Sequence, residues 1–309
     1  MSVYTTVSAD ALEAFLCRYN VGNLISHQGI SAGITNTNYA IETTGGAFIL
    51  TLYEHHSETA LDYILGLQHH LANKSVACAA PVPDSDGLLF SSLNQRSAAI
   101  IDRVPGQIEE TVSASHCAII GAELARFHIA GNDYAAKRNN PCGLDWYVVT
   151  AKKLDPVLND SDRKLLHQEI DIYLQYPFAL LPQGSIHADL FHDNVLFDGD
   201  HLGGIIDFDY ACYGTLIYDL AVIMNDWCIF PDGNLDPTRT EPLLLAYHQV
   251  RPLDGQEHEA LNLMLRVGAL RFWLSRLNDI KFPLPGELTF HKDPDEFRNM
   301  LLLRLNHPL

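Results

Sequence analysis

Two periods of apolar residues divide this chain. After Ser8, the segment ADALEAFLCRYN places apolar residues at 11, 12, 15 and 16, which predicts an N-capped amphipathic helix. The pattern then changes. HQGISAGITNTNYAIETTGGAFILTLYE alternates apolar and polar positions between glycines, as two or three antiparallel strands do, with Thr43-Thr44-Gly45-Gly46 as a tight turn. A helix is predicted from Thr59 to Leu71, and past Pro81 and Pro83 the run GLLFSSLNQRSAAIIDRV reads as a further hairpin. From Thr111 helical spacing takes over. It begins in VSASHCAIIGAELARFHIAG, with a Ser-rich start and a Gly end, and recurs near 146–158, 161–176, 216–228, 241–250 and 257–277. Short strands are expected among these helices at 195–197 and 204–208. The chain reads as α+β with two lobes: a small antiparallel-sheet lobe over 1–104 and a helix-rich lobe over 105–309, joined near Arg103-Val104-Pro105-Gly106.

Composition narrows the classes. At 309 residues and 47% apolar, the chain can bury a sizeable core. Twenty basic residues stand against 38 acidic ones, a formal charge of −18, which argues against nucleic acid and anionic membrane surfaces as partners. The same balance is compatible with a cationic or zwitterionic small substrate. Six cysteines, at 17, 78, 117, 142, 212 and 228, include no C-x-x-C and fall partly inside apolar runs, which predicts buried free thiols and a reducing compartment. The N-terminus lacks the basic start and long apolar stretch of a secretion signal, and no run approaches the roughly 18 apolar residues of a membrane span. A soluble, cytoplasmic protein is expected.

The segment from Ser185 to Asp209, SIHADLFHDNVLFDGDHLGGIIDFD, changes the picture again, because it threads aspartates and histidines through apolar residues. Carboxylates that lose hydration there repel one another unless a cation or a reacting proton compensates them. His187-Ala188-Asp189 followed by Asn194 has the spacing H-x-D-x-x-x-x-N, and Asp207-Phe208-Asp209 follows an apolar strand. Phosphoryl transfer from ATP uses this set. Asp189 is the candidate base that orients an attacking hydroxyl and accepts its proton. Asn194 and Asp207 are the candidate oxygen ligands of Mg²⁺, a hard cation that arrives with ATP. Upstream, the loop from Gly29 to Tyr39 sits between strands, where the backbone and the small side chains of Ser31, Gly33, Thr35, Asn36 and Asn38 could bind phosphate oxygens.

With these elements the chain resembles the aminoglycoside phosphotransferase and choline kinase superfamily, small-molecule kinases of bilobal, protein-kinase-like fold. Their catalytic loop reads H-x-D-x-x-x-x-N and is followed by I-D-F/W-D/E. The resemblance covers most of the chain, including IGAELARFHIAG and YDLAVIMNDWC. FILTLYE, IHADLFHDNVLF, IDFDYACYGTLIYDLAV and the tail LRFWLSRLNDIKFPLPGELTFHKDP are similar, more narrowly, to the bacterial homoserine kinases of that superfamily. The resemblance implies transfer of the γ-phosphoryl group of ATP to the side-chain hydroxyl of L-homoserine, a step of threonine biosynthesis. It also implies that residues 99–104, with Ile101 and Arg103, form the interlobe strand whose backbone meets the adenine edge. Within the fold, choline, an aminoglycoside or another amino alcohol is the alternative acceptor. One departure stands out: Thr51 occupies the third-strand position where protein kinases carry the lysine that holds the α- and β-phosphates, and no lysine precedes Lys74.

A homoserine site needs a cation for the carboxylate, and arginine binds a carboxylate in bidentate fashion. Arg271 and Arg276 lie in the segment that resembles homoserine kinases. Five residues apart on a helix they diverge by about 140°, so one of the two is expected to face the cleft. Asp209 is the nearest candidate for the amine. Rival readings carry less. An iron triad of His187, Asp189 and His248 leaves Asn194 and the IIDFD strand without a role. A catalytically silent binding module rests on Thr51 alone, and a calcium loop at 193–204 lacks the ligand order. Asp219, at the start of a helix, suits capping, and in the resembling fold it braces the catalytic loop. His55 and His56 are expected to be exposed.

Overall fold

The computed structural model describes residues 5–30, 35–283 and 292–307. Ser8 caps α1 (Ala9–Leu16) by accepting from the amide of Ala11, and Leu12, Phe15 and Leu16 bury one face of the helix. The strands β1 (Leu24–Ile30), β2 (Thr37–Thr43), β3 (Gly46–Tyr53), β4 (Ser91–Leu93) and β5 (Arg96–Asp102) form an antiparallel sheet in the order β1-β2-β3-β5-β4, with α2 (Glu58–Asn73) between β3 and β4. Alternation decides which side chain goes where. Leu50, Leu52, Ala98 and Ile100 pack on the face covered by α1, whereas Ile49, Tyr53, Ala99 and Ile101 pack on the other, against Leu61 and Leu65 of α2. Asn94 and Gln95 both adopt positive φ, 50° and 66°, as the two-residue turn of the β4–β5 hairpin requires.

The rest of the chain contributes β6 (Gln107–Ile108), α3 (Ala114–Gly131), α4 (Leu144–Leu154), α5 (Asp160–Gln175), β7 (Gln183–Ile186), β8 (Val195–Asp198), β9 (His201–Ile205), β10 (Cys212–Thr215), α6 (Ile217–Trp227), α7 (Pro237–Val250), α8 (Gly255–Lys281) and α9 (Pro294–Asn306). A core built around Leu124, Phe127, Trp227, Leu265 and Trp273 holds these helices together. The small pairings β7–β10 and β6–β8–β9 lie over that core. Residues 77–79 join the two parts, because the amides of Ile205 and Ala79 bond reciprocally to Ala77 and Ile205 at 2.9 Å each. Ile206 then packs into the inner face of the large sheet. The architecture is α+β, as the periodicity implied.

Three differences from the expected elements bear on the site. The strand expected over 204–208 ends at Ile205, because Asp207 turns into the left-handed region at φ 59°. α7 begins at Pro237, with the ring at the first helical position where a missing N–H costs nothing. α9 was not anticipated, although its cap Asp293 and the buried Phe297, Met300, Leu301 and Arg304 carry a helical signature. The six cysteines are free thiols, four of them buried.

Candidate functional site

The catalytic loop is built from its backbone outward. Ala188 takes φ 65°, and the amides of His187 and Ala188 both donate to the carboxylate of Asp219, at 2.8 and 2.7 Å. Asp219 is fully buried in the first turn of α6, whose N-cap Leu216 makes no side-chain cap bond. Its carboxylate therefore serves the loop and not its own helix end, which corrects the capping reading. His187 accepts from the amide of Asp189 through Nδ1 at 3.3 Å, so its Nε2–H donates to the carbonyl of Ile206 at 3.0 Å. One imidazole thus ties the loop of Asp189 to the residue before Asp207. Spent in this way, it forms no iron triad with His248, whose Nδ1 accepts from the amide of Leu253.

Asn194 donates its side-chain amide to the carbonyl of Asp189 at 2.8 Å, which leaves its oxygen as the free end. Asp207 keeps an exposed edge, yet lost hydration and the nearby Asp209 and Asp189 push its carboxyl well above the usual range. Burial also raises Asp209, against the pull of His56 and the Asn36 hydrogen bond, and raises Asp189 against the pull of Arg271. Three carboxyls with raised pKa values in one cleft form a site short of positive charge. Among the described residues no group of three or more His, Cys, Asp or Glu could hold a metal ion by itself. That donor set fits Mg²⁺, which takes one or two protein oxygens and completes its shell with phosphates and water. Asp207 and the Asn194 oxygen are the atoms that would hold it.

The sheet side is wired differently from the expectation. Ser31 and Gly33 lie outside the described residues, and Thr35 is exposed. Asn36 is buried and donates to Asp209 Oδ2 at 2.8 Å, so it bridges the sheet to the Asp207-Phe208-Asp209 segment. Its own oxygen is buried without a partner. Thr51 donates to Asn38 Oδ1 at 2.8 Å across β2 and β3, which spends its hydroxyl inside the sheet. Ile101 is corrected too. The carbonyl of Ile100 and the amide of Asp102 pair with Val82 and Ala80, while Ile101 itself faces Ile49 on β3 and its side chain is buried. No edge at Ile101 is free for a base, and the chain is released only beyond Asp102. Arg103 turns away to an exposed pair with Glu42 at 3.3 Å. His56, expected to be exposed, stands 3.9 Å from Asp209, and its Nδ1 is buried and unpartnered.

The two arginines part company. Arg271, 4% exposed, lays Nη1 3.3 Å from Asp189 Oδ1, between the rings of Tyr210 and Phe272. Arg276 pairs with Glu296 at 2.6 Å and with the carbonyl of Asp293, over the ring of Phe297. Its charge is committed to α9, which withdraws it from the candidate substrate set. Of the seven unpartnered buried side-chain polar atoms among the described residues, three belong to Asn36, His56 and Arg271, each of which touches Asp209 or Asp189. Such atoms are ordinarily satisfied, so their concentration here marks a place built for a ligand.

Residues without a local sequence signal support the loop from behind. His128 on α3 lies between Asp219 at 3.2 Å and the hydroxyl of Tyr247 at 2.7 Å, and Arg251 links that hydroxyl to Glu257 at 3.0 and 2.9 Å. Arg138 donates to the carbonyls of Asp209 and Ala211 at 2.7 and 2.9 Å. The helix carrying His128 was recognisable, but partners 91 and 119 residues away leave no local signal.

Known proteins resemble this chain in sequence and in fold. The model of the phosphotransferase enzyme family matches residues 26–253. A homoserine kinase of Methylobacillus flagellatus is 46% identical, over 97% of this chain and 94% of its own length. A homoserine kinase of Neisseria meningitidis serogroup B is 43% identical, over 98% of this chain and 99% of its own. Among solved structures, an amicoumacin kinase in complex with AMP-PNP and Ca²⁺ superposes with a TM-score of 0.72 at 19% identity, covering 97% of this chain and 93% of that one. A choline kinase of Cryptosporidium parvum gives 0.65 at 13%, over 97% and 95% of the two chains. These likenesses show a kinase-like fold.

Proposed function

The chain belongs to the phosphotransferase enzyme family, and on that premise we propose that it transfers the γ-phosphoryl group of ATP to the side-chain hydroxyl of L-homoserine, giving O-phospho-L-homoserine. Homoserine comes from the name its relatives carry over nearly their whole length. One observation in the site supports it over an amino alcohol: Arg271, a buried cation, stands beside the candidate base. Choline and aminoglycosides carry no carboxylate to meet such a charge, whereas homoserine does.

In this reading the sheet over 1–104 covers the nucleotide, and the remainder carries the chemistry. Asp189 orients the hydroxyl and takes its proton as the oxygen attacks phosphorus. Its carboxyl, raised by burial, is held in aim by a loop that Asp219 and His187 brace. Mg²⁺ bound with the nucleotide would draw off charge from the transferring group. Asn194 and Asp207 would supply its protein oxygens. Asp209, kept in place by Asn36 and flanked by His56, receives the substrate ammonium. With the Thr51 hydroxyl spent on Asn38 Oδ1 and no lysine on β3, the phosphates would depend on backbone amides, the Asn38 side-chain amide and the metal in place of a lysine contact. Buried free thiols suit the reducing cytoplasm.

ADP release measured across homoserine, threonine, serine, choline and kanamycin tests this reading. Homoserine should give the highest kcat/KM. Faster turnover of choline or kanamycin overturns it.

A further inference from the structure

Arg271 brings a full positive charge into the core but satisfies only part of it. Nη1 lies 3.3 Å from Asp189 Oδ1, and Nη2 is buried with no hydrogen-bond partner. The ring centres of Tyr210 and Phe272 sit 4.5 and 4.0 Å from the guanidinium carbon, where they meet its charge, and the Cys142 thiol beside the guanidinium is only a weak acceptor, so Nη2 has no strong partner. A buried donor without an acceptor is costly, and more so when it is charged. Packing alone does not call for a guanidinium here. A methionine would fill the space between the rings without leaving a donor unpaired.

Resting on the homoserine reading above, we propose that Arg271 gauges the acceptor: one terminal nitrogen holds Asp189 while the other takes the substrate carboxylate. The guanidinium is planar and rigid, so its two terminal nitrogens cannot move independently. A single group therefore sets the separation between the carboxylate of the acceptor and the proton acceptor of the enzyme. The hydroxyl must lie at the reach that this separation allows. Homoserine carries its hydroxyl three carbons from the carboxylate carbon. Serine carries it one methylene closer and cannot place it against Asp189 while its carboxylate stays on Nη2. Homoserinol has the right length and amine but offers Nη2 only a neutral hydroxyl in place of the carboxylate. In the reaction, the hydroxyl oxygen forms a bond to the γ-phosphorus of ATP and the bond from that phosphorus to the bridging oxygen breaks. ADP leaves with that electron pair, and the hydroxyl proton passes to Asp189. Arg271 takes no part in the bond changes. It touches the substrate and positions the base, and misplacement by one methylene appears in kcat because reacting atoms must be aligned as well as bound.

The test compares homoserine, serine and homoserinol on the wild-type protein and on Arg271→Met, which keeps an unbranched side chain without charge, and Arg271→Lys, which keeps a single point charge. In the wild type, serine should lose mainly in kcat and homoserinol mainly in KM. In Arg271→Met, the homoserine KM should rise and kcat fall by about tenfold or more each, homoserinol should lose kcat alone, and the preference between them should contract to within about threefold. Arg271→Lys, which cannot hold two partners in fork geometry, should lose at least about fivefold of that preference even if the methionine variant folds poorly. A KM for Mg-ATP within about threefold of wild type shows that the site is otherwise intact. A full homoserine preference retained in either variant overturns the gauge. So does a lost preference with homoserinol kcat unchanged, since Arg271 would then read the carboxylate without positioning Asp189. Wild-type protein that phosphorylates another acceptor and leaves homoserine untouched ends the homoserine reading, and this inference with it.

Discussion

Between His187 and Asn194 the groups that set the shape of the loop have fixed partners. The loop amides go to Asp219, the imidazole of His187 to Ile206 and Asp189, and the side-chain amide of Asn194 to the Asp189 carbonyl. His192 gives both its amide and its ring to Asp226, at 2.7 and 2.8 Å. Across the cleft the sheet is wired to itself. Thr51 and Asn38 bond one another, Arg103 goes to Glu42, and Asn36 and His56 reach Asp209 with one atom each left unpaired. The difference matches the two tasks. A base must hold one aim through every turnover, which calls for preorganised support. A nucleotide-covering surface must release its ligand, and groups left unpaired in the free protein can gain partners when the ligand arrives.

The comparison predicts unequal damage from substitutions on the two sides, and the largest falls on the braced loop. Asp189→Asn keeps the size of the side chain but removes the proton acceptor, and kcat should fall by about two orders of magnitude or more. Mg-ATP affinity, read by calorimetry, should change little. Retention of more than a tenth of wild-type turnover moves the base elsewhere.

Asp219→Ala comes next, because it strands two loop amides and the buried His128 at once. Loss of those bonds to a buried carboxylate should cost about 3 kcal/mol or more in denaturant unfolding, and kcat should fall without a matching change in the KM for Mg-ATP. Stability within about 1 kcal/mol of wild type would mean that the loop holds its shape without the brace.

What the sequence disclosed follows the same divide. His187, Asp189 and Asn194 fall within eight residues, so their spacing alone carries the chemistry, and Asp207 is marked by the apolar run before it. Helical geometry indicated that only one of Arg271 and Arg276 meets the cleft. It could not say which, since Asp189 and Glu296, the partners that decide, come from separate elements. The links from Asp219 to His128 and Tyr247 join residues distant in the chain and leave no periodic trace. The left-handed turn at Asp207 belongs to no element, so a strand drawn from its apolar residues overran it. The nucleotide side was least legible. There the expected contacts at Ile101, Thr51 and Arg103 were assigned by position in a resembling fold, and position does not reveal which hydrogen bonds a strand has already used.

Asn36→Ala probes a side chain that donates from the sheet to Asp209. Removing a hydrogen bond to a carboxylate should loosen Asp209, and the homoserine KM should rise by about tenfold while kcat and the Mg-ATP KM move by less than about threefold. A larger shift in Mg-ATP than in homoserine would transfer Asn36, and Asp209 with it, to the nucleotide.

The smallest effect is expected at Thr51. Its hydroxyl donates to Asn38 and the side chain is nearly buried on β3, on the same sheet face as Ile49 and Tyr53. Thr51→Val preserves the β-branched shape and removes only that donor, so stability should drop by about 1 kcal/mol. Asn38 Oδ1 then loses its partner, and its amide becomes free to turn toward the cleft. If backbone and metal carry most of the hold on the phosphates, as the missing lysine implies, the Mg-ATP KM should stay within about twofold of wild type. A rise of tenfold or more, with stability little changed, would place the Thr51–Asn38 pair in contact with the nucleotide. The sheet would then resemble the catalytic loop more closely than its wiring suggests.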